Sequence, residues 1–124
     1  MAIPGEKAIQ MVRNAHGQAA QLDIAVTAVV VDQSGRMIAL VTVEIALNKA
    51  YTAASFQQPT KELAGVATQT WFQSLVVSSN GRIMPGGGAL PIVEGGNVVG
   101  AIAVAGGTDD QDQKCAEVAL ASYS

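Results

Sequence analysis

From Pro4 to Leu22 the apolar residues Ala8, Val12, Ala15, Ala19 and Leu22 recur at steps of four and three. That spacing draws one apolar stripe along a helix, with Pro4 suited to its first turn. The pattern then changes. Ile24–Val31 reads I-A-V-T-A-V-V-V, nearly continuous and rich in β-branched residues, which suits a strand covered on both faces. Asp32, Gln33, Ser34 and Gly35 form a turn of hairpin length, and Met37–Thr42 is the returning strand.

Ile45–Phe56 is alanine-rich and helical, and Gln57, Gln58 and Pro59 stop it. Thr60 is placed to cap a short helix over Lys61–Ala67. Trp71–Asn80 fits neither period cleanly, and Ser78 to Gly81 reads as a loop. Leu90–Val93 and Val98–Val104 pair as a second hairpin across Glu94, Gly95, Gly96 and Asn97. The last helix opens at Thr108. Gln111 stands three residues on, the spacing of a capping box, and Asp109 and Asp110 oppose the positive helix end. Hairpins with short turns imply an α/β domain of the α+β kind, an antiparallel sheet of about five strands flanked by helices. Nothing divides residues 1–124, so one domain is expected.

Composition narrows the function classes. Hydrophobic residues make up 49% of the chain and charged residues only 14%, a low charge density for a monomer in water. Apolar surface that one small domain leaves uncovered favours burial between subunits, so a homo-oligomer is expected, from a dimer to an octamer. The net charge is −3 and the seven basic residues are scattered, which argues against nucleic-acid binding. The Ile24–Val31 run falls far short of the roughly 20 residues of a membrane helix. A single cysteine, Cys115, permits no intrachain disulfide and fits a reducing, cytoplasmic setting. No G-x-S-x-G, H-E-x-x-H, cysteine pair or Walker loop is present.

Four motifs run in order along the chain: I-A-L-N-K-A-Y-T-A at Ile45–Ala53, Q-P-T at Gln58–Thr60, G-G-A-L-P-I at Gly87–Ile92, and V-V-G-A-I at Val98–Ile102 followed by G-G-T-D-D-Q-D at Gly106–Asp112. With them the chain resembles the GlcG/HbpS family, which includes the C-terminal domain of PduO-type proteins. The resemblance implies a profilin-like domain that assembles into oligomers. It also implies links to haem binding, to cobalamin-associated and diol pathways, and to glycolate utilisation. It places Lys49 and Thr52 near a ligand pocket, with Pro91 in the neighbouring G-G-A-L-P-I motif. Two departures stand out. The connection Leu40–Glu44 is shorter than the family's, so a pocket wall there is missing or rebuilt. Ala103 and Ala105 occupy positions where the family often has Gly and Ser.

The candidate chemistry is sparse. Lys49 and Thr52 share a helix face one turn apart, and Lys49 could pair with a haem propionate or an organic acid, act as a base or Schiff-base amine, or merely snorkel at a helix edge. His16 is the only histidine, so imidazole ligation of haem iron falls to it or to its counterpart in another subunit; the plainer role is a half-exposed helix residue. Arg82 with Gly86, Gly87 and Gly88 could form an anion pocket, or the glycines could serve a bend. Met37, Met84, Tyr51 and Cys115 are further conceivable iron ligands whose commoner role is packing. Three functions therefore stand: an accessory protein binding haem or another small carboxylate-bearing ligand, an enzyme of small-molecule catabolism using Lys49 on a hydroxy or keto acid or an aldehyde, and a purely structural assembly subunit.

Overall fold

The apolar run after the first helix is buried on both sides, and the layering of the protein follows from that. The computed structural model describes residues 2–41 and 44–123, with side chains at all of these except 39–41 and 44. In chain order the elements are α1 (Gly5–Gln21), β1 (Thr27–Asp32), β2 (Met37–Val41), α2 (Glu44–Phe56), a 3-10 helix (Thr60–Val66), α3 (Thr70–Ser78), β3 (Ala89–Glu94), β4 (Asn97–Ala105) and α4 (Asp109–Ala121). The strands form one antiparallel sheet in the order β2-β1-β4-β3.

Alternation along the strands sorts the core into two layers. Ala28, Val30, Leu90, Ile92, Ile102 and Val104 point to the face covered by α1 and α4. Val29, Val31, Ala89, Ala101, Ala103 and Ala105 point to the other, where they meet Ala46, Ala50, Ala53 and Ala54 of α2. Each fully buried valine of β1 contributes about 1.5–3 kcal/mol. Alanine on both sides of the second layer lets α2 lie close against the sheet. A smaller cluster of Leu63, Phe72 and Ile83, backed by Tyr51 and Phe56, holds the 3-10 helix and α3.

The turns obey local chemistry. Gly95 (φ 59°) and Gly96 (φ 81°) are both left-handed, as a two-residue hairpin between β3 and β4 requires. Thr108 and Gln111 complete a reciprocal capping box at α4.

Four points differ from the sequence expectation. The sheet has four strands among the described residues rather than about five, and Trp71–Asn80, which gave no clear period, contains α3. β1 starts at Thr27 rather than Ile24, because the Ile24 amide still bonds to Ala19 O at the end of α1. Ile24 and Val26 are apolar because they pack on the core as a connector. Thr60 caps nothing; its hydroxyl accepts from the Ala89 amide at 3.2 Å and ties the 3-10 helix to β3. The shortened connection at Leu40–Glu44 lies outside the described residues at 42 and 43 and in its side chains. No helix among the described residues is long and apolar enough to cross a membrane.

Candidate functional site

α2 and α4 lie on opposite faces of the sheet, yet one side chain of each meets the other at the Gly86–Gly88 bend before β3. Lys49 of α2 donates from Nζ to Gly87 O at 2.9 Å and to Asp112 Oδ2 of α4 at 3.2 Å. Both side chains are sealed from water, 7% and 3% exposed. Asp112 Oδ1 accepts from the Gly107 amide at 2.9 Å, so the carboxylate also satisfies the start of its own helix. Gln113, the next residue, accepts from the Gly88 amide at 3.2 Å and donates to Glu117.

Glycine is what makes this meeting possible. Gly88 has φ 123°, and a Cβ there would sit 2.6 Å from Val104 O, 2.9 Å from Asp112 Cβ and 3.1 Å from Lys49 Nζ. A Cβ on Gly87 would stand 2.7 Å from Asp109 O. The bend is thus a passage just wide enough for bare backbone between a lysine and an aspartate. A concavity of about 260 Å3 lies outside it, lined by Lys61, Ala64, Gly86, Gly87, Asp109, Asp110 and Gln113.

The other sequence candidates fall in two places. Thr52 is fully buried beside Lys49; its hydroxyl donates to Asn48 O at 2.7 Å and accepts from the Met84 amide at 2.8 Å, which anchors the segment entering the bend. The exposed Arg82 guanidinium stacks over the Tyr51 ring at 3.9 Å. The bend is faced by carboxylates: Asp109 lies against Gly86, and Asp112 against Gly88. Pro91 lies in edge strand β3 opposite Ala101, where a missing N–H is tolerated.

His16 stands apart. It belongs to α1, in the layer opposite α2, so one chain does not bring it to Lys49. Its Nε2 is buried without a hydrogen-bond partner. Among the other conceivable ligands, Met37 is exposed and Cys115 is buried on α4. Burial first, and then the Asp112 charge, push the Cys115 thiol above its ordinary range. No group of three or more metal-ligating side chains forms among the described residues.

Asp112 is the residue that sequence reasoning undervalued. It closes the G-G-T-D-D-Q-D motif, where the sequence suggests a helix-start or capping role, with a general base as the alternative. The hydrogen bond to the Gly107 amide fulfils that role, and the ion pair adds a second.

A family model described as haem degrading protein HbpS-like matches residues 3–121. The chain belongs to the HbpS-like family. This HbpS-like chain is 36% identical to a 15.0 kDa protein from the dhaT-dhaS intergenic region of Citrobacter freundii, over 93% of its own length and 87% of that protein's. It is 30% identical to the corrinoid adenosyltransferase PduO of Salmonella typhimurium; the match covers 93% of this chain but 37% of PduO. Among solved structures it superposes on a PduOC:haem complex with a TM-score of 0.90 and 26% identity, covering 98% of this chain and 95% of that one.

Proposed function

We propose that this chain is a homo-oligomeric accessory protein of small-molecule catabolism that binds haem or another small carboxylate-bearing ligand. The reading is carried by its likeness, along nearly its whole length, to a protein crystallised with haem. The donor set fits such a group at one point. His16 Nε2 is buried and has no hydrogen-bond partner, so it is the imidazole donor with no competing bond that would ligate haem iron. His16 would hold the iron. The exposed Arg82 guanidinium would meet a carboxylate, as planar forks do. Haem supplies the redox and oxygen chemistry when bound; the chain's own part is ligation, orientation and exclusion of water.

Lys49 and the glycine bend contribute less directly in this reading. The Lys49 ammonium already donates to Gly87 O and Asp112, and its burial leaves no route for a substrate. An enzyme using Lys49 as base or electrophilic cation would first have to break that pair. In the binding reading, Lys49, Thr52, Gly87 and Gly88 fix the join between α2, α4 and β3 and do not touch the ligand.

Haemin titration followed through the Soret band tests the proposal. The wild type is expected to shift and sharpen the band at a fixed stoichiometry, and His16→Ala to change its position or abolish the shift. A wild-type protein that leaves the haemin spectrum unchanged refutes haem as the ligand. A His16→Ala spectrum identical to wild type refutes the ligand assignment alone.

A further inference from the structure

Arg82 is exposed, yet the backbone around it is pinned. Its carbonyl oxygen lies 3.3 Å from the Thr52 hydroxyl, the Ile83 amide donates to Ser79 Oγ at 3.3 Å, and the Met84 amide donates to the Thr52 hydroxyl at 2.8 Å. Ile83 is buried with Leu63 and Phe72. The guanidinium is held separately. Its central carbon lies 3.9 Å from the centroid of the ring of Tyr51, the residue before Thr52 on α2. That ring has little room to move. It packs on the cluster of Leu63, Phe72 and Ile83, and Gly35 of the β1–β2 turn stands so close that a Cβ there would meet Tyr51 Cδ2 at 2.6 Å. Asp32 Oδ1 fixes this turn by accepting from the Ser34 and Arg36 amides at 2.8 and 2.9 Å.

We propose that Tyr51 is a positioning residue, its ring fixing the Arg82 guanidinium as a preformed receptor for one carboxylate of a small ligand. The stack occupies a face of the guanidinium and leaves its in-plane N–H donors, which among the described residues make no hydrogen bond or ion pair. A carboxylate is planar, meets two of those donors edge to edge, and carries the single negative charge that one guanidinium balances. A phosphate dianion would keep an unbalanced charge beside a chain of net −3. An arginine loose in water gives up rotamer freedom when it grips a ligand. Here the ring has already removed that freedom, which favours binding roughly two- to tenfold. The proposal rests on the carboxylate part of the reading above and needs no iron, since His16 lies in the layer opposite α2.

Iron-free protoporphyrin IX and its dimethyl ester, which has no free carboxylate, isolate this contribution. Followed by porphyrin fluorescence, the wild type should bind the acid roughly tenfold or more tighter than the ester. Arg82→Gln should erase that preference, and Tyr51→Leu should cut it roughly two- to tenfold. Tyr51→Phe, which keeps the ring, should retain it, and ester affinity should be equal in all four proteins. A Tyr51→Leu protein with the wild-type preference overturns the positioning role. Loss of the preference in Tyr51→Phe gives the role to the phenol and overturns it too. Equal affinity of the wild type for acid and ester, or for neither, overturns the receptor; iron ligation is judged apart from it by the haemin titration of His16→Ala. Should Tyr51→Leu not fold, the Arg82 side-chain N–H resonance of the wild type decides. Displacement to low frequency by the ring current supports the stack, and an undisplaced resonance overturns it.

Discussion

Replacing Lys49 by methionine keeps most of the length of the unbranched side chain and removes its charge and donors, so the variant probes the buried ion pair. At 3.2 Å and an effective dielectric near 20, the attraction between Lys49 and Asp112 is about 5 kcal/mol. Burying each ion costs several kcal/mol, so the intact pair is close to neutral against an apolar substitute. Breaking it is different. Asp112 would remain sealed with only the Gly107 amide as partner, and Gly87 O would lose its donor. The expected loss is about 3–5 kcal/mol, a large share of the roughly 5–15 kcal/mol available to a domain. Urea unfolding of wild type, Lys49→Met, Asp112→Asn and the double variant measures it. Asp112→Asn in the Lys49→Met background should restore about 2 kcal/mol, because a neutral amide is easier to bury and still accepts from Gly107. A Lys49→Met loss below about 1 kcal/mol, or an Asp112→Asn change that deepens it, refutes the reasoning. If the loss is as large as expected, Lys49 is first an architectural residue, and haemin affinity of the folded Lys49→Met protein should match wild type.

Gly88→Ala should cost about 3 kcal/mol through steric conflict with Val104 O and Asp112, whereas Gly96→Ala, left-handed but in open space, should cost only about 1–2 kcal/mol; equal losses by thermal unfolding would deny the tight passage. The Tyr123 phenol donates to Glu94 Oε2 at 2.6 Å, and that bond, with burial and the Glu94 charge, pushes its pKa up from 10.0 to about 12. The native state therefore holds the proton more tightly, so this contribution is complete below pH 10 and lost as pH rises through about 12. Tyr123→Phe should flatten the alkaline fall in stability, and an unchanged slope in a pH series of urea melts contradicts the assignment. Thr108→Ala removes one arm of the capping box and should cost about 1 kcal/mol by the same melts. Cys115, buried with its thiol pushed up, should react with a disulfide reagent at pH 8 only after urea unfolding; prompt labelling of the native protein would contradict its burial.

What could be read from the sequence was what is decided within a few residues. The stripe of α1 through Ala19, the Gly95-Gly96 turn and the Thr108–Gln111 box each follow from a short-range rule, and the structure has all three, whereas Leu22, the stripe's last member, is the exposed residue that ends the helix. The misreadings have a common origin in long-range packing. Ile24 and Val26 look like strand because they are apolar, yet a connector lying on the core must be apolar too. Thr60 has the right side chain for a cap, but its hydroxyl is claimed by a strand 29 residues away. W-F-Q-S-L-V-V-S in α3 has neither caps nor charges to mark it, and its helicity is fixed by Phe72 docking on Leu63 and Ile83.

The candidate site was half legible for the same reason. Lys49 and Gly87–Gly88 each stood out as candidates in the sequence; the structure joins them by a hydrogen bond, with Lys49 sealed behind the bend rather than lining the concavity outside it. Asp112, 63 residues from Lys49, lies in a capping motif that already explains its presence, so nothing local signals a second role. A residue satisfied by a local rule can still be held in place by a distant one. This places the functional question elsewhere than the glycine bend. The charge pair is sealed from water across the end of the sheet, so it presents nothing to a ligand. His16 Nε2, in the opposite layer, is sealed too but has no hydrogen-bond partner, and the haemin titration of His16→Ala tests it first.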